Sequence, residues 1–273
     1  MFDAFTPWRE AWRKPEPSVF SLAWTLVAFF AGFSIAFVLL RRAAQDLSLN
    51  DMVGIQSVAV PAFAAGLALF LLARWTLYRP MKPVLSAPGR PFGVLTMIVS
   101  GLIMAGLNLG LWTLMEDLGA GPVQSLVING NPIIHVSAAL LGFGFAALVE
   151  EIVFRGHLLP ALAARFSITA GVCLSAVIFT ALHFRGTVET FAATLLLGLV
   201  LALATARTGS IAAALGGHIG YNLILVYRGP DFEENAAALN LAALTTIYGL
   251  WLVAIWFAPT RRQPPLNAAE TPP

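Results

Sequence analysis

Long apolar runs, each closed by a short cluster of charges, prolines and glycines, set the pattern of the chain. Those near residues 19–40, 53–75, 94–115 and 134–156 are long enough to cross a bilayer as helix, which takes about 17–25 residues. Further runs near 168–184, 188–206, 211–227 and 239–258 are shorter and closely spaced, and several carry Gly or an ionisable residue. Spanning segments must satisfy their own backbone hydrogen bonds, so the pattern predicts an all-α polytopic membrane protein of about eight transmembrane helices. The punctuation agrees. Arg41-Arg42 closes the first run, and Arg79-Pro80-Met81-Lys82-Pro83 through Pro88-Gly89-Arg90-Pro91 fills the connection after the second, where Pro and Gly break helix. Polar stretches at Gly119–Pro132 and Arg228–Asn235 precede the fourth and eighth runs. The expected divisions are a cytoplasmic N-terminal segment (1–18), N-terminal transmembrane helices and loops (19–133), a second transmembrane bundle (134–258) and a Pro-rich disordered tail (259–273).

Composition narrows the class. With 58% hydrophobic and 11% charged residues, against roughly 25% charged in soluble domains, a soluble fold is excluded. One cysteine, Cys173, lies inside an apolar run; it can build neither a disulfide framework nor a cysteine metal cage and reads as a small core residue. A formal charge of +2 with scattered basic residues gives no nucleic-acid surface. The first eighteen residues lack a compact apolar core followed by a small-residue cleavage site, so no cleavable signal peptide is expected. Phe2, Phe5, Trp8 and Trp12 alternate with charges up to Lys14, which suits an amphipathic stretch on the membrane surface or a plain flexible terminus. Trp24, Trp75, Trp112, Trp251 and Trp256 fall in or near span ends, where aromatic belts are expected.

Charge also sets the expected orientation. With the N-terminus in the cytoplasm, twelve of the sixteen basic residues lie inside: Arg9, Arg13, Lys14, Arg74, Arg79, Lys82, Arg90, Arg155, Arg165, Arg207, Arg261 and Arg262. Only Arg41, Arg42, Arg185 and Arg228 lie outside, which predicts a multi-pass inner-membrane protein with both termini cytoplasmic.

Ionisable side chains at bilayer depth are costly and mark function. They are nearly absent from the first three spans and gather in the second half: Glu150 and Glu151 in the fourth run, His183 in the fifth, His218 with Asn222 in the seventh. Arg155 follows Glu151 by four residues, so the two can meet on one helix face. Glu150, about 100° around the helix, then points elsewhere, giving adjacent carboxylates different environments. His218 and Asn222 share a face four residues apart and can donate two hydrogen bonds to one point, the chemistry of an oxyanion site. Gly216-Gly217 just before them lets a backbone or substrate approach closely. Glu150 with His183 can hold and deprotonate a water, a nucleophile that needs no Ser or Cys. His135 and His157 read as interfacial and stay outside this set.

Three motifs resemble those of the CPBP intramembrane proteases, a family that includes the type II CAAX prenyl endopeptidases and bacteriocin-processing or self-immunity proteins. Glu150-Glu151-Ile152-Val153-Phe154-Arg155 resembles E-E-x-x-x-R, Phe179-Thr180-Ala181-Leu182-His183 resembles F-x-x-x-H, and His218-Ile219-Gly220-Tyr221-Asn222 resembles H-x-x-x-N/D. The resemblance covers roughly residues 135 to 230 and implies that 134–258 is a catalytic bundle acting on a membrane-associated peptide or protein. By carry-over, Glu150 and His183 activate the water, His218 and Asn222 stabilise the oxyanion, and Glu151 and Arg155 support them. The family is also called a metalloprotease family, which leaves a zinc ion on Glu150, His183 and His218 as the alternative to a metal-free water. A proton-coupled transporter and a non-catalytic immunity or scaffold protein are the rival functions, since buried Glu, His and Arg also build proton paths. For Glu150 and His183 to lie level on antiparallel helices, the chain must turn near Arg165 to Ser167, and a hairpin protruding into the cytoplasm is the expected arrangement.

Overall fold

A computed structural model describes residues 2–13, 18–43, 52–78, 84–86, 92–117, 132–183, 187–228 and 237–257. The loop of Gly119–Asn131, most of Arg228–Asn235 and the tail after Pro259 lie outside the described residues, as does the side chain of His135. The described chain is helical: α1 (Thr6–Arg13), α2 (Val19–Ala43), α3 (Met52–Leu77), α4 (Val94–Asp117), α5 (Pro132–Glu150), a π-helix (Glu151–Leu158), α6 (Leu159–Arg165), α7 (Ile168–Leu182), α8 (Val188–Thr208), α9 (Ala212–Arg228) and α10 (Ala237–Phe257). Among the described residues the sole β-type pairing is an isolated bridge between Ser86 and Ser210. The protein is thus an all-α polytopic membrane protein. Among the described residues, four helices are long and apolar enough to span a bilayer, at Val19–Arg42, Gln56–Leu77, Val94–Leu114 and Val188–Thr208, with shorter apolar helices at Ile168–Leu182 and Leu241–Phe257. Phe20, Leu95, Leu102, Val188 and Phe257 all lie on the outer surface, the apolar exterior that lipid requires.

Helix ends follow local chemistry. Ser167 caps α7 by accepting from the Ala170 N–H, and Thr187 caps α8 by accepting from Thr190. Gly209, at φ 70°, ends α8 in the left-handed region that glycine enters without strain. Its missing side chain also makes room for the carbonyl of Ala4.

The fourth apolar run does not stop near residue 156. α5, the π-helix and α6 form one continuous helix that turns only at Phe166 and Ser167, where the sequence requires the hairpin to turn. The π register has a local cause in Pro160, which has no N–H to give the carbonyl of Gly156 and whose ring crowds that carbonyl. Leu159 accordingly donates to Phe154 O, five residues back, rather than four.

Two apolar cores meet in the second half. One joins α1, α2, α3, the π-helix, α6 and α7 through Trp8, Phe29, Phe70, Phe154, Leu162 and Phe179; the other joins α4, α8, α9 and α10 through Met104, Leu201, Ala214, Tyr248 and Trp251. Three expectations are corrected here. α1 does not hang free, and its aromatic face meets protein: Trp8 and Trp12 are fully buried. Trp251 is buried rather than belted, since its indole N–H donates to Ser100 O (3.1 Å) on α4. Cys173 is exposed, because α7 turns Val172 and Ala176 inward and leaves Cys173, Leu174 and Val177 outside.

Candidate functional site

The three motifs converge where the two cores meet. The π-helix begins immediately after Glu150 and buries Glu151 and Arg155. Arg155 Nη1 lies 3.2 Å from Glu151 Oε1, the i,i+4 pair expected from the spacing. Its Nη2 donates to Gly198 O on α8 (3.3 Å), and its guanidinium sits 4.3 Å over the Phe179 ring, a cation–π contact that suits a desolvated Arg. Glu151 does more than neutralise Arg155. The same Oε1 accepts from His218 Nδ1 on α9 at 2.9 Å, tying the first motif to the third.

Glu150 points away from the Glu151–Arg155 pair. Its Oε1 lies 3.5 Å from His183 Nε2 and its Oε2 3.7 Å from His218 Nε2, so the two imidazoles flank one carboxylate. His183 ends α7, where its Nδ1–H donates to Phe179 O (2.8 Å) and its ring lies 4.2 Å from the Phe179 ring. Both histidines therefore commit Nδ1 to an acceptor and turn Nε2 toward Glu150. Such outer hydrogen bonds fix ring orientation and tautomer. Side-chain exposure falls from 34% at His183 through 12% at Glu150 and 5% at His218 to 0% at Glu151, so access runs past His183.

Asn222 follows His218 by one turn on α9 and is half-buried. The roughly opposite face of α9 is held close to α4 by glycines: a Cβ on Gly216 would overlap Met97 O, and one on Gly220 would overlap Gly101 O. Gly217 in turn lies against the Trp251 ring. The close approach expected at Gly216-Gly217 is therefore made by another helix and an indole. Ser100 Oγ, which donates to Ala213 O (2.6 Å), fastens the same crossing.

Glu150, Glu151, Arg155, His183 and His218 are thus brought together, with Asn222 one turn along from His218. Among the described residues no group of three or more His, Cys, Asp or Glu side chains is arranged to hold a metal ion, Glu150, His183 and His218 included. Two participants carried no assigned role in the sequence. Phe179 is the plate between Arg155 and His183, and its place in the F-x-x-x-H motif is the signal that marks it. Gly198 supplies only a carbonyl, which no sequence pattern announces.

His157 is the larger surprise. It is fully buried within the protein, and Arg74, counted above as a topological charge, is buried against it. Arg74 Nη1 donates to His157 Nδ1 (2.8 Å), and His157 Nε2 lies 2.9 Å from Thr25 Oγ1.

Residues 132–224, about a third of the chain, match the family model described as Type II CAAX prenyl endopeptidase Rce1-like. The matched stretch holds all three motifs and so supports their resemblance to the CPBP intramembrane proteases. No curated protein matches the chain.

Proposed function

We propose that this protein is an intramembrane endopeptidase that hydrolyses a peptide bond in a prenylated or otherwise membrane-associated substrate, using water activated by Glu150 and His183. The observation that carries this reading is that Glu150 presents one carboxylate oxygen to each of two imidazole Nε2 atoms, with His183 at the accessible edge. Atoms 3.5 Å apart can both touch one water at about 2.8 Å. Glu150 takes a proton from that water as its oxygen bonds to the scissile carbonyl carbon, and the carbonyl π electrons move onto oxygen. The C–N bond then breaks while Glu150 returns the proton to the leaving nitrogen.

His218 and Asn222 meet the negative oxygen from α9. Since His218 gives its Nδ1–H to Glu151, it serves as a donor from Nε2 only when both nitrogens carry protons, and Glu150 and Glu151 supply the counter-charge. Glu151 and Arg155 hold the ring in place rather than react. The Rce1-like match supports a C-a-a-X prenyl peptide as the first substrate to try, and the basic-residue count supports inner-membrane insertion with both ends cytoplasmic.

The test is cleavage of a farnesylated C-a-a-X peptide by the purified chain in lipid nanodiscs. Wild type should cleave it, and Glu150→Gln and His183→Ala should abolish turnover while inserting and eluting as wild type does. Full activity in Glu150→Gln would overturn the mechanism.

A further inference from the structure

The π-helix is held from two opposite sides. Glu151 and Arg155 anchor it to α8 and α9, whereas His157 anchors it to α2 and α3. The second anchor has a fixed proton order. Arg74 has donors only, so the nitrogen it meets, His157 Nδ1, is the acceptor. The ring proton then sits on Nε2 and is donated to Thr25 Oγ1, whose own proton goes to Leu22 O (2.9 Å). Three aromatic rings close around the imidazole edge-on: Trp12 of α1 at 5.0 Å, Phe70 of α3 at 5.1 Å and Tyr78 at 5.3 Å. Trp12 also covers the Arg74 guanidinium at 5.2 Å. Next to His157, Gly156 lies so close to Val84 O that any side chain there would collide with it.

A π-helix closes i→i+5 bonds and packs more residues into each turn than an α-helix, so a return to α geometry would rotate one end of Glu151–Leu158 against the other. With Glu151 at one end and His157 near the other, that rotation cannot occur while both anchors hold. We infer that His157 is a positioning residue. Clamped between Arg74 and Thr25 beneath Trp12, it holds the π register that aims Glu150 and Glu151 at His183 and His218. It touches none of the reacting groups and acts through the helix. α1, remote in sequence from every motif, thereby becomes part of what aligns the site.

This inference rests on the protease reading, so its test carries a readout that does not need proteolysis. His157→Phe keeps the ring volume and removes both polar atoms. His157→Gln keeps one acceptor for Arg74 and one donor for Thr25. In nanodiscs, hydrogen exchange of the 151–158 amides and steady-state cleavage of the farnesylated peptide are measured on wild type and both variants. His157→Phe should exchange faster at 151–158 and lose about 10-fold to 100-fold in kcat, the scale of a small misplacement, with KM near wild type. His157→Gln should restore both. If His157→Phe fails to insert, Thr25→Val, which removes only the hydroxyl, should show the same pattern in weaker form. Wild-type exchange and kcat in His157→Phe, or in Thr25→Val where that variant stands in, would overturn the inference. So would a loss that His157→Gln does not repair. Faster exchange in a chain whose wild type does not cleave the farnesylated peptide would uphold the positioning role and reject the C-a-a-X substrate.

Discussion

Replacing Glu151 should damage the fold, whereas replacing its neighbour Glu150 should damage only the chemistry. Glu151 Oε1 is fully buried: it faces the Arg155 guanidinium at 3.2 Å as an ion pair and accepts a hydrogen bond from His218 at 2.9 Å. Glu151→Ala leaves the buried Arg155 without that carboxylate, and breaking a buried pair from one side costs about 3–5 kcal/mol. Glu151→Gln keeps an acceptor oxygen but turns the charge-assisted hydrogen bond from His218, about 1.5–3 kcal/mol, into a neutral one of about 0.5–1.5 kcal/mol, a loss of roughly 1–1.5 kcal/mol, and reduces the Arg155 ion pair to a charge–dipole contact. At about 2–4 °C per kcal/mol for a chain of this size, Tm should fall by roughly 6–20 °C in the alanine variant and by less in the glutamine variant. Glu150→Gln should melt near wild type, since Glu150 faces two imidazoles rather than a guanidinium. Thermal unfolding followed by tryptophan fluorescence in nanodiscs makes the comparison. A third arm tests the cause: Glu151→Leu with Arg155→Met removes both charges and should recover much of the lost stability without recovering cleavage. A Glu150→Gln loss as large as that of Glu151→Ala, or an unchanged Tm in Glu151→Ala, would refute the division of labour between the two glutamates.

Four further outcomes are expected. Asn222→Ala should lower kcat about 100-fold to 1,000-fold with little change in KM, because an oxyanion donor acts only as charge develops; stopped-flow cleavage measures both constants. Cleavage should survive a chelator in wild type, and loss that zinc restores would instead assign a metal to Glu150, His183 and His218. Gly220→Val should force α9 off the Gly101 carbonyl and lower stability by about 1–3 kcal/mol, the usual range for overpacking, with thermal unfolding as the check. A reporter fused after Arg262 should report a cytoplasmic C-terminus, and activity only on the opposite side would overturn the assigned topology.

What the sequence discloses is whatever helical period and chain neighbourhood determine. The apolar runs mark the helices, the spacing of Glu151 and Arg155 announces their pair, and the turn at Phe166–Ser167 follows from bringing Glu150 level with His183. Periodicity also finds the aromatic face of α1 at Trp8 and Trp12, with Phe5 just before it, but one apolar stripe looks the same whether it meets lipid or protein. Exposure of Cys173 and burial of Trp251 escape for the same reason: in a membrane chain both sides of a helix are apolar. The contacts that organise the site join residues far apart, His218 to Glu151 across 67 positions and His157 to Arg74 across 83. No local pattern encodes such a pairing. Pro160 signals a disturbance in the fourth run but not that the helix would widen instead of breaking.

The lone outward thiol of Cys173 makes the chain its own depth gauge. It stands on α7 ten residues before His183, a rise of about 15 Å along the helix axis. A fluorophore on this single cysteine can be quenched from water or by spin-labelled lipids carrying the nitroxide at chosen depths, with no engineered cysteine and no other thiol to mask. Its position along the bilayer normal, advanced by that rise and corrected for helix tilt, locates Glu150 and His183 relative to the headgroups. The same reading therefore fixes how far a substrate's scissile bond must be drawn into, or held above, the lipid before it reaches the carboxylate.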